Sequence, residues 1–150
     1  MVNIKLLNKS DNPTPVYKTK GAAGFDIASN EEVFLPPGAG LLLSTGIYLI
    51  IPEGYEGQLR LRSSMWKKTG IMPNAPGTID SDYRGEIKIP IRNTHAHNSM
   101  HIWKGERVAQ IVINKLPWVE MEEIDENTFN IPSNQTIRGG AGFGSTGNNE

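Results

Sequence analysis

Near the middle of the chain lies the stretch Pro76-Gly77-Thr78-Ile79-Asp80-Ser81-Asp82-Tyr83-Arg84-Gly85-Glu86-Ile87. A glycine opens it, acidic and small residues lie at its centre, and a second glycine closes it before an alternating segment. This pattern predicts a tight β-hairpin that leads into a strand. Loops on a rigid sheet often carry binding and catalytic side chains. We therefore expect the function of the chain to depend on this turn.

The segments on either side of the turn predict further strands rather than helices. Strands are predicted at residues 3–7, around 26, and at 31–35, 41–43, 47–51, 58–62, 86–92, 100–104, 106–113 and 119–124. Residues 53–57 are predicted to form a turn, and Pro90 indicates an edge position or a bulge. The one plausible helix spans 63–70, capped by Ser63 or Ser64 and ended by Gly70. Many short strands with almost no helix predict a β-sandwich or barrel.

Length and composition exclude several classes of protein. A chain of 150 residues, 37% of them hydrophobic and 21% charged, suits a single globular domain. The formal net charge of −1 does not support a nucleic-acid coat or a membrane-surface protein, which are usually basic. The absence of cysteine excludes disulfides and cysteine nucleophiles. Because no apolar run has the length of a signal peptide or a membrane span, we expect a cytosolic protein.

Several polar clusters are candidate sites, and each has an alternative explanation. His95 and His97 could lie on one side of an extended segment and hold a metal, but surface histidines are favoured. The segment Ala22–Asp26 is, by itself, typical of a tightly packed strand with a capping aspartate. The group Arg62-Ser63-Ser64 fits a helix cap or a phosphate site. Gln110 stands in an apolar run, where a buried amide needs a partner.

The C-terminal tail, residues 133–150, is too polar and too rich in glycine to pack a core of its own. Its segment Arg138–Gly147 combines a cation, an aromatic ring, two hydroxyls and many exposable N–H groups. Such donors could surround a polyphosphate, and Phe143 could stack on a nucleobase. On composition alone, a flexible end is equally compatible.

Together these segments resemble the trimeric dUTPase family, the deoxyuridine triphosphate nucleotidohydrolases. Five motifs of that family occur in their usual order and extend over nearly the whole chain. They are Ala22–Asp26, Arg62–Ser64, Gly77–Gly85, Arg107–Gln110 and Arg138–Gly147. The resemblance implies an all-β, distorted jelly-roll or barrel domain over residues 1–132, followed by a flexible glycine-rich C-terminal arm over 133–150. It also implies hydrolysis of dUTP to dUMP and pyrophosphate, which limits uracil incorporation into DNA and supplies dUMP for thymidylate synthesis.

The resemblance assigns roles to individual residues. Asp80 is implied to be the general base that activates the attacking water. The stretch 74–88 is implied to hold the uracil and the deoxyribose, and Tyr83 to exclude a 2′-hydroxyl. The implied substrate-binding residues are Arg62, Ser63, Ser64, Asn74, Gly77, Thr78, Ile79, Tyr83, Lys88, Gln110, Arg138, Phe143, Gly144, Ser145 and Thr146. Mg²⁺ is the implied cofactor, with no direct protein ligand and with Asp26 meeting it through a water.

The resemblance further implies a homotrimer in which three chains build each active site, without a nucleic-acid or membrane partner. It implies a cytoplasmic protein, or a nuclear one if the source is eukaryotic. Two other functions stay open. A dCTP deaminase, or its bifunctional form, shares the fold and an arginine-serine-serine element. Some phage-borne relatives instead regulate partner proteins, often through an insertion after the third motif, where this chain has only a short gap between Gly85 and Arg107.

Overall fold

A computed structural model describes residues 2–141 of the chain. Eleven strands lie within this part, and their bounds set the frame for the site. They are β1 (Lys5–Asn8), β2 (Phe25–Ala28), β3 (Val33–Leu35), β4 (Gly40–Leu43), β5 (Ile47–Ile50), β6 (Tyr55–Leu61), β7 (Gly70–Ile71), β8 (Gly77–Ile79), β9 (Ile89–Asn93), β10 (Met100–Ile102) and β11 (Arg107–Lys115). A 3₁₀ helix spans Ser63–Lys68. The strand-rich fold predicted from the sequence is confirmed.

The strands form four small antiparallel sheets. The largest has the order β2-β11-β6-β8, and a three-stranded sheet has the order β4-β9-β7. Two pairs, β1-β5 and β10-β3, complete the arrangement. In the described residues β11 is the longest strand, and it pairs on both sides, with β2 and with β6. This central sheet carries three of the sequence motifs.

The core is built from alternating apolar residues of these strands. Ile27, Leu43, Ile89, Ile102 and Ile111 are completely buried. Burying a side chain of this size contributes about 1.5–3 kcal/mol. Because one face of each sheet is fixed to the core in this way, the polar residues between the buried ones are presented on the opposite face.

The predicted hairpin at residues 76–87 is wrong. β8 pairs with β6, whereas β9 pairs with β4 and β7, so the two strands that flank the turn belong to different sheets. The alternation after the turn is real, since Ile87, Ile89 and Ile91 are buried. Alternation indicates which face of a strand is buried but does not identify the strand that pairs with it. Residues 80–88 therefore form a loop that crosses from one sheet to another.

Three local predictions also need correction. β6 begins at Tyr55, inside the predicted turn. The 3₁₀ helix begins after Arg62 without a side-chain cap, and it ends at Lys68, where the next residue, Thr69, lies in the left-handed region (φ 56°). Gly70 instead begins strand β7, where Met100, Ile91 and Met65 leave little room for a side chain. The edge position predicted for Pro90 is confirmed, since Pro90 pairs with Leu42 on β4 and β7 does not extend to it on the other side.

The chain divides into two units, the first ending at Pro117 and the second beginning at Trp118. In the second unit, α1 is a single turn over Glu126–Phe129, capped by Asp125, and a 3₁₀ turn spans Pro132–Asn134. The strand predicted at 119–124 is not present, and these residues are exposed. None of the helices within residues 2–141 has the length and apolar character needed to cross a membrane. The predicted functional boundary at residues 132 and 133 stays a prediction.

Candidate active site

A groove of about 240 Å³ lies beside strand β8. It brings together seven of the site residues that the resemblance implies, and its walls are completed by apolar side chains. The seven are Asn74, Gly77, Thr78, Ile79, Asp80, Tyr83 and Lys88. Leu42, Leu59, Ile87 and Pro90 contribute apolar surface, and Glu86 also lines the groove. We call this groove, together with the loop 80–88, the base end of the site.

Asp80 lies immediately after β8, at the exposed rim of the groove. The amide N–H of Tyr83 donates to the Asp80 carbonyl at 3.2 Å, which closes a turn. The Arg84 guanidinium stabilises this turn by donating to the carbonyls of Ser81 (2.6 Å) and Tyr83 (2.9 Å). The carboxylate of Asp80 is therefore presented to solvent from a loop whose main chain is held in place.

The Tyr83 ring folds back over its own loop. Its hydroxyl donates to the carbonyl of Glu86 at 3.0 Å. A Cβ atom at position 85 would overlap the Tyr83 ring, so a side chain there would displace the ring from this position. Tyr83 is thus fixed on the side of the groove by a hydrogen bond and by a close approach to the Gly85 backbone.

A second cluster lies on the outward face of the central sheet, and we call it the arginine end. Asp26 on β2 forms ion pairs with Arg62 (Nε to Oδ1, 3.0 Å) and with Arg107 (Nη1 to Oδ2, 2.9 Å). Both carboxylate oxygens are therefore engaged. The prediction of a capping aspartate is wrong, because Asp26 lies inside a strand and binds two guanidinium groups that strongly prefer a carboxylate.

A β-bulge explains why Arg107 reaches this cluster. The register of β11 against β2 shifts between Arg107 and Ala109, and both Val108 and Ala109 are buried. Without the extra residue, strict alternation would place Arg107 on the same face as Ala109, towards the core. The bulge turns the Arg107 side chain to the face that carries Asp26.

The other residues of the second and fourth motifs lie nearby. Gln110 is half-buried and stands opposite Asp26 on β2 and Arg60 on β6. Ser63 and Ser64 are exposed in the 3₁₀ helix that follows Arg62. Because neither hydroxyl caps that helix, both remain available to bind a ligand. Close backbone packing is confirmed at Gly24, where a Cβ would lie 2.5 Å from the Ile111 carbonyl oxygen.

The base end and the arginine end lie at opposite ends of β6. Ile79, the residue before Asp80, pairs with Gly57, and Arg62 follows five residues later on extended backbone. At about 3.3 Å per residue, this separates them by about 17 Å. Within one chain, Asp80 and the arginine end are therefore not in direct contact.

The remaining predicted residues lie elsewhere. Arg138 is exposed in the second unit, where its Nε donates to the Ala141 carbonyl at 2.9 Å. Phe143, Gly144, Ser145 and Thr146 lie outside the described residues. His95 accepts hydrogen bonds at Nδ1 from the amides of His97 and Asn98, within its own loop. Among residues 2–141, no three histidine, aspartate or glutamate side chains come together as a metal site.

Sequence reasoning did not find the part played by Glu86. Its Oε1 accepts three hydrogen bonds, from the Ser44 hydroxyl (2.5 Å), the Gly46 amide (2.9 Å) and the Thr45 amide (3.1 Å). Burial alone would raise the pKa of Glu86, but these hydrogen bonds and the nearby Lys88 outweigh it, so the pKa lies below its ordinary value. Glu86 follows directly after the third motif, and in the alternating segment 86–92 it shares a face with Lys88, so no local signal distinguished it from an ordinary exposed carboxylate.

Comparisons with known proteins agree with this geometry. The family model described as dUTPase matches residues 10–147. A deoxyuridine 5′-triphosphate nucleotidohydrolase of Nautilia profundicola is 46% identical over 147 residues, covering 97% of this chain and 98% of the relative. One of Finegoldia magna is 42% identical over 149 residues, covering 97% and 99%.

Solved structures give the same result. The dUTPase of Staphylococcus bacteriophage 80alpha with dUPNHPP has a TM-score of 0.85 at 30% identity, covering 97% of this chain and 98% of the other. The dUTPase of phage phi11 of S. aureus has a TM-score of 0.75 at 26% identity, covering 83% and 97%. These neighbours confirm the predicted jelly-roll-like β fold. The chain belongs to the dUTPase family.

Proposed function

We propose that this protein hydrolyses dUTP to dUMP and pyrophosphate by attack of water on the α-phosphate. The proposal is carried by the groove at the base end, which collects Asn74, Asp80 and Tyr83 around one small-molecule cavity. Membership of the dUTPase family supports it. Its biological role would be to limit uracil incorporation into DNA and to supply dUMP for thymidylate synthesis.

In this proposal the groove binds the uracil and the deoxyribose. The main chain of Gly77, Thr78 and Ile79 on the edge strand β8 lines the groove and offers amides and carbonyls to the edge of the base, with Asn74 and Lys88 beside it. Tyr83, fixed over Gly85, lies against the sugar and leaves no room for a 2′-hydroxyl. Exclusion by shape suits a groove whose walls are held by backbone contacts.

Asp80 is the proposed general base. Its exposed carboxylate accepts a proton from a water while the water oxygen forms a bond to the α-phosphorus. The bond from the α-phosphorus to the bridging oxygen breaks, and pyrophosphate leaves. General-base catalysis of this kind contributes about 10²- to 10⁴-fold.

The arginine end is proposed to bind the phosphates, through Arg62, Ser63, Ser64 and Gln110. Since the two ends of β6 lie about 17 Å apart in one chain, they would meet only when different chains contribute them. This supports a homotrimer with shared active sites. The arm over residues 133–150, with Arg138, Phe143, Gly144, Ser145 and Thr146, is proposed to close over the nucleotide of a neighbouring subunit.

Mg²⁺ is the proposed cofactor, held mainly by the triphosphate and by waters. The donor set at Asp26 fits this arrangement, because each carboxylate oxygen binds one guanidinium and keeps a lone pair that can accept from a metal-bound water. When bound, the ion would neutralise charge on the phosphates. The expected cytoplasmic location stays a prediction.

The test is pyrophosphate release from dUTP, dCTP, dTTP and UTP, each with and without Mg²⁺. Of the four nucleotides, we expect only dUTP to release pyrophosphate, and we expect Mg²⁺ to increase that release. Ammonia release from dCTP would instead identify the chain as a deaminase of the same fold. Specific capture of a host protein by the Asp80→Asn chain would add a regulatory role.

A further inference from the structure

The Glu86 carboxylate connects the base end to a bend that the proposed reaction does not use. This bend is Ser44–Gly46, between β4 and β5. Three donors of the bend, the Ser44 hydroxyl and the Thr45 and Gly46 amides, bind one oxygen of Glu86, Oε1, at 2.5–3.1 Å. The other oxygen, Oε2, lies 3.9 Å from Lys88 Nζ on the groove side, and the side chain is 19% exposed. One carboxylate oxygen therefore binds the bend while the other is directed towards the groove.

Further hydrogen bonds join the same two segments on either side of Glu86. The buried Thr45 hydroxyl donates to the Ile87 carbonyl, and the Ile87 amide donates to the Ile47 carbonyl at 2.8 Å. The Glu86 carbonyl accepts from the Tyr83 hydroxyl at 3.0 Å. The Tyr83 amide in turn donates to the Asp80 carbonyl. A continuous set of hydrogen bonds thus leads from the bend through Glu86 and Tyr83 to Asp80.

The bend is itself held from the opposite side. Its Ser44 amide donates to Glu31 Oε1 at 2.8 Å, and its Ser44 carbonyl accepts from the Asn30 amide at 2.8 Å. The Gly46 carbonyl accepts from the Lys9 amide at 2.8 Å. A Cβ atom at Gly46 would lie 2.9 Å from Ser10. The bend is therefore a fixed support, and Glu86 transmits that support to the loop 80–88.

We propose that Glu86 is a positioning residue for the reaction, which fixes Asp80 and Tyr83 by binding the Ser44–Gly46 bend through Oε1. The proposal rests on the proposed function. Exposed loops that carry a general base lose catalytic power when the base is displaced, and a misplacement of about 1 Å costs about 10²-fold. A carboxylate oxygen with three donors is well suited to prevent such a displacement.

The test compares three variants. Glu86→Ala removes the acceptor and should lower kcat for dUTP by about 10- to 100-fold, with a smaller change in KM. Glu86→Gln keeps an oxygen at Oε1 and should retain kcat within about threefold, an order-of-magnitude expectation for a preserved neutral acceptor. Glu31→Ala is the matched control, because it removes a carboxylate that binds only the Ser44 amide, while the Asn30 and Lys9 amides still hold the bend and the loop is not touched. Its kcat should stay close to that of the unaltered chain.

Hydrogen exchange of the nucleotide-free chains supplies a second measurement. Residues 80–88 should exchange faster in Glu86→Ala but not in Glu86→Gln or Glu31→Ala. Unchanged kcat and exchange in a folded Glu86→Ala chain would overturn the proposal. Equal losses of kcat in Glu86→Ala and Glu31→Ala would also overturn it, because they would indicate general destabilisation. A Glu86→Gln chain with a kcat as low as that of Glu86→Ala would overturn it as well.

If Glu86→Ala does not fold, Ser44→Ala decides the question, since it removes only the hydroxyl donor. We expect faster exchange of residues 80–88 and a fall in kcat of about threefold to tenfold; no change in either would contradict the proposal. Failure of the proposed function has a different signature. The unaltered chain would then release no pyrophosphate from dUTP, while the exchange measurement would still report whether Glu86 holds the loop.

Discussion

The two ends of strand β6 are built in different ways. At the base end, the residues that shape the groove are held by main-chain hydrogen bonds and by one carboxylate bound to the Ser44–Gly46 bend. At the arginine end, Asp26 orients two arginines through side-chain ion pairs that are partly exposed. The first is a cavity of fixed shape, and the second is a charged surface that a bulge in β11 assembles.

This difference indicates how one small fold can recognise one part of a ligand by shape and another part by charge. A nucleoside is distinguished by shape and by the pattern of donors on its base, so its groove needs rigid walls. A triphosphate is recognised mainly by charge, which a few oriented cations supply with less demand on exact placement. We therefore expect substitutions at the base end to alter turnover and selectivity, and those at the arginine end to alter affinity.

The largest expected effect is that of Asp80→Asn at the base end. The amide keeps the size of the side chain and cannot take a proton from water. Turnover of dUTP should fall by about 10²- to 10⁴-fold, while dUTP binding measured by calorimetry and the melting temperature stay nearly unchanged. Retained turnover would show that Asp80 is not the base.

Removal of residues 138–150 tests whether the base end and the arginine end are sufficient for turnover of dUTP without the arm. If the arm excludes water and grips the phosphates, kcat/KM for dUTP should fall by about 10²-fold. Sedimentation should still show the oligomer of the full chain. Normal rates in the truncated chain would remove the arm from the mechanism.

Asp26→Asn tests the arginine end. The variant removes both ion pairs, so Arg62 and Arg107 lose their orientation, and KM for dUTP should rise by about tenfold, equivalent to about 1.4 kcal/mol. Asp11→Asn is a matched control, because Asp11 pairs with Lys104 at 2.7 Å and its side chain is 87% exposed. A lower KM in Asp26→Asn would mean that net positive charge matters more than orientation.

Tyr83→Ala should change selectivity more than rate. Loss of the ring opens space beside the sugar, and the ratio of kcat/KM for UTP to that for dUTP should rise by about tenfold, or about 1.4 kcal/mol. Tyr83→Phe keeps the ring and loses only the hydrogen bond to the Glu86 carbonyl, so its ratio should stay low. Unchanged selectivity in Tyr83→Ala would assign the exclusion of the 2′-hydroxyl to another residue.

The smallest effect concerns pH and the stability of the base end. The pKa of Glu86 is lowered on folding from its ordinary value of 4.5. Its contribution to stability is therefore complete above about pH 4.5 and is lost as the pH falls through the lower folded-state value. Melting temperatures between pH 7 and pH 3 should fall less steeply in Glu86→Gln than in the unaltered chain. Parallel curves would show that Glu86 does not contribute to the acid sensitivity.

Much of the site could be predicted because its motifs are short and local. Gly77, Thr78, Ile79 and Asp80 are neighbours in the chain, so the groove that they line follows from their sequence once β8 forms. The ion pairs of Asp26 could not be predicted in this way. They depend on the pairing of β2 with β11 and on a bulge that changes which face Arg107 occupies.

The loop at the base end shows the same division. Alternation of Ile87, Ile89 and Ile91 with polar residues correctly predicted a strand, but not its pairing with β4.

The assignment of a cap to Ser63 or Ser64 failed because the 3₁₀ helix begins after Arg62 without a side-chain cap. Local propensity does not distinguish a capping serine from an exposed one.

The sequence alone determined that the chain is rich in strands, that its core alternates, and that five motifs stand in the order of one enzyme family. These properties are local, since they depend on residue type and on spacing over a few positions. Only the tertiary structure decided that residues 76–87 join two sheets, and that Glu86 is anchored to a bend about 40 residues earlier in the chain. Such contacts depend on long-range strand pairing, which the burial of all the strands together selects.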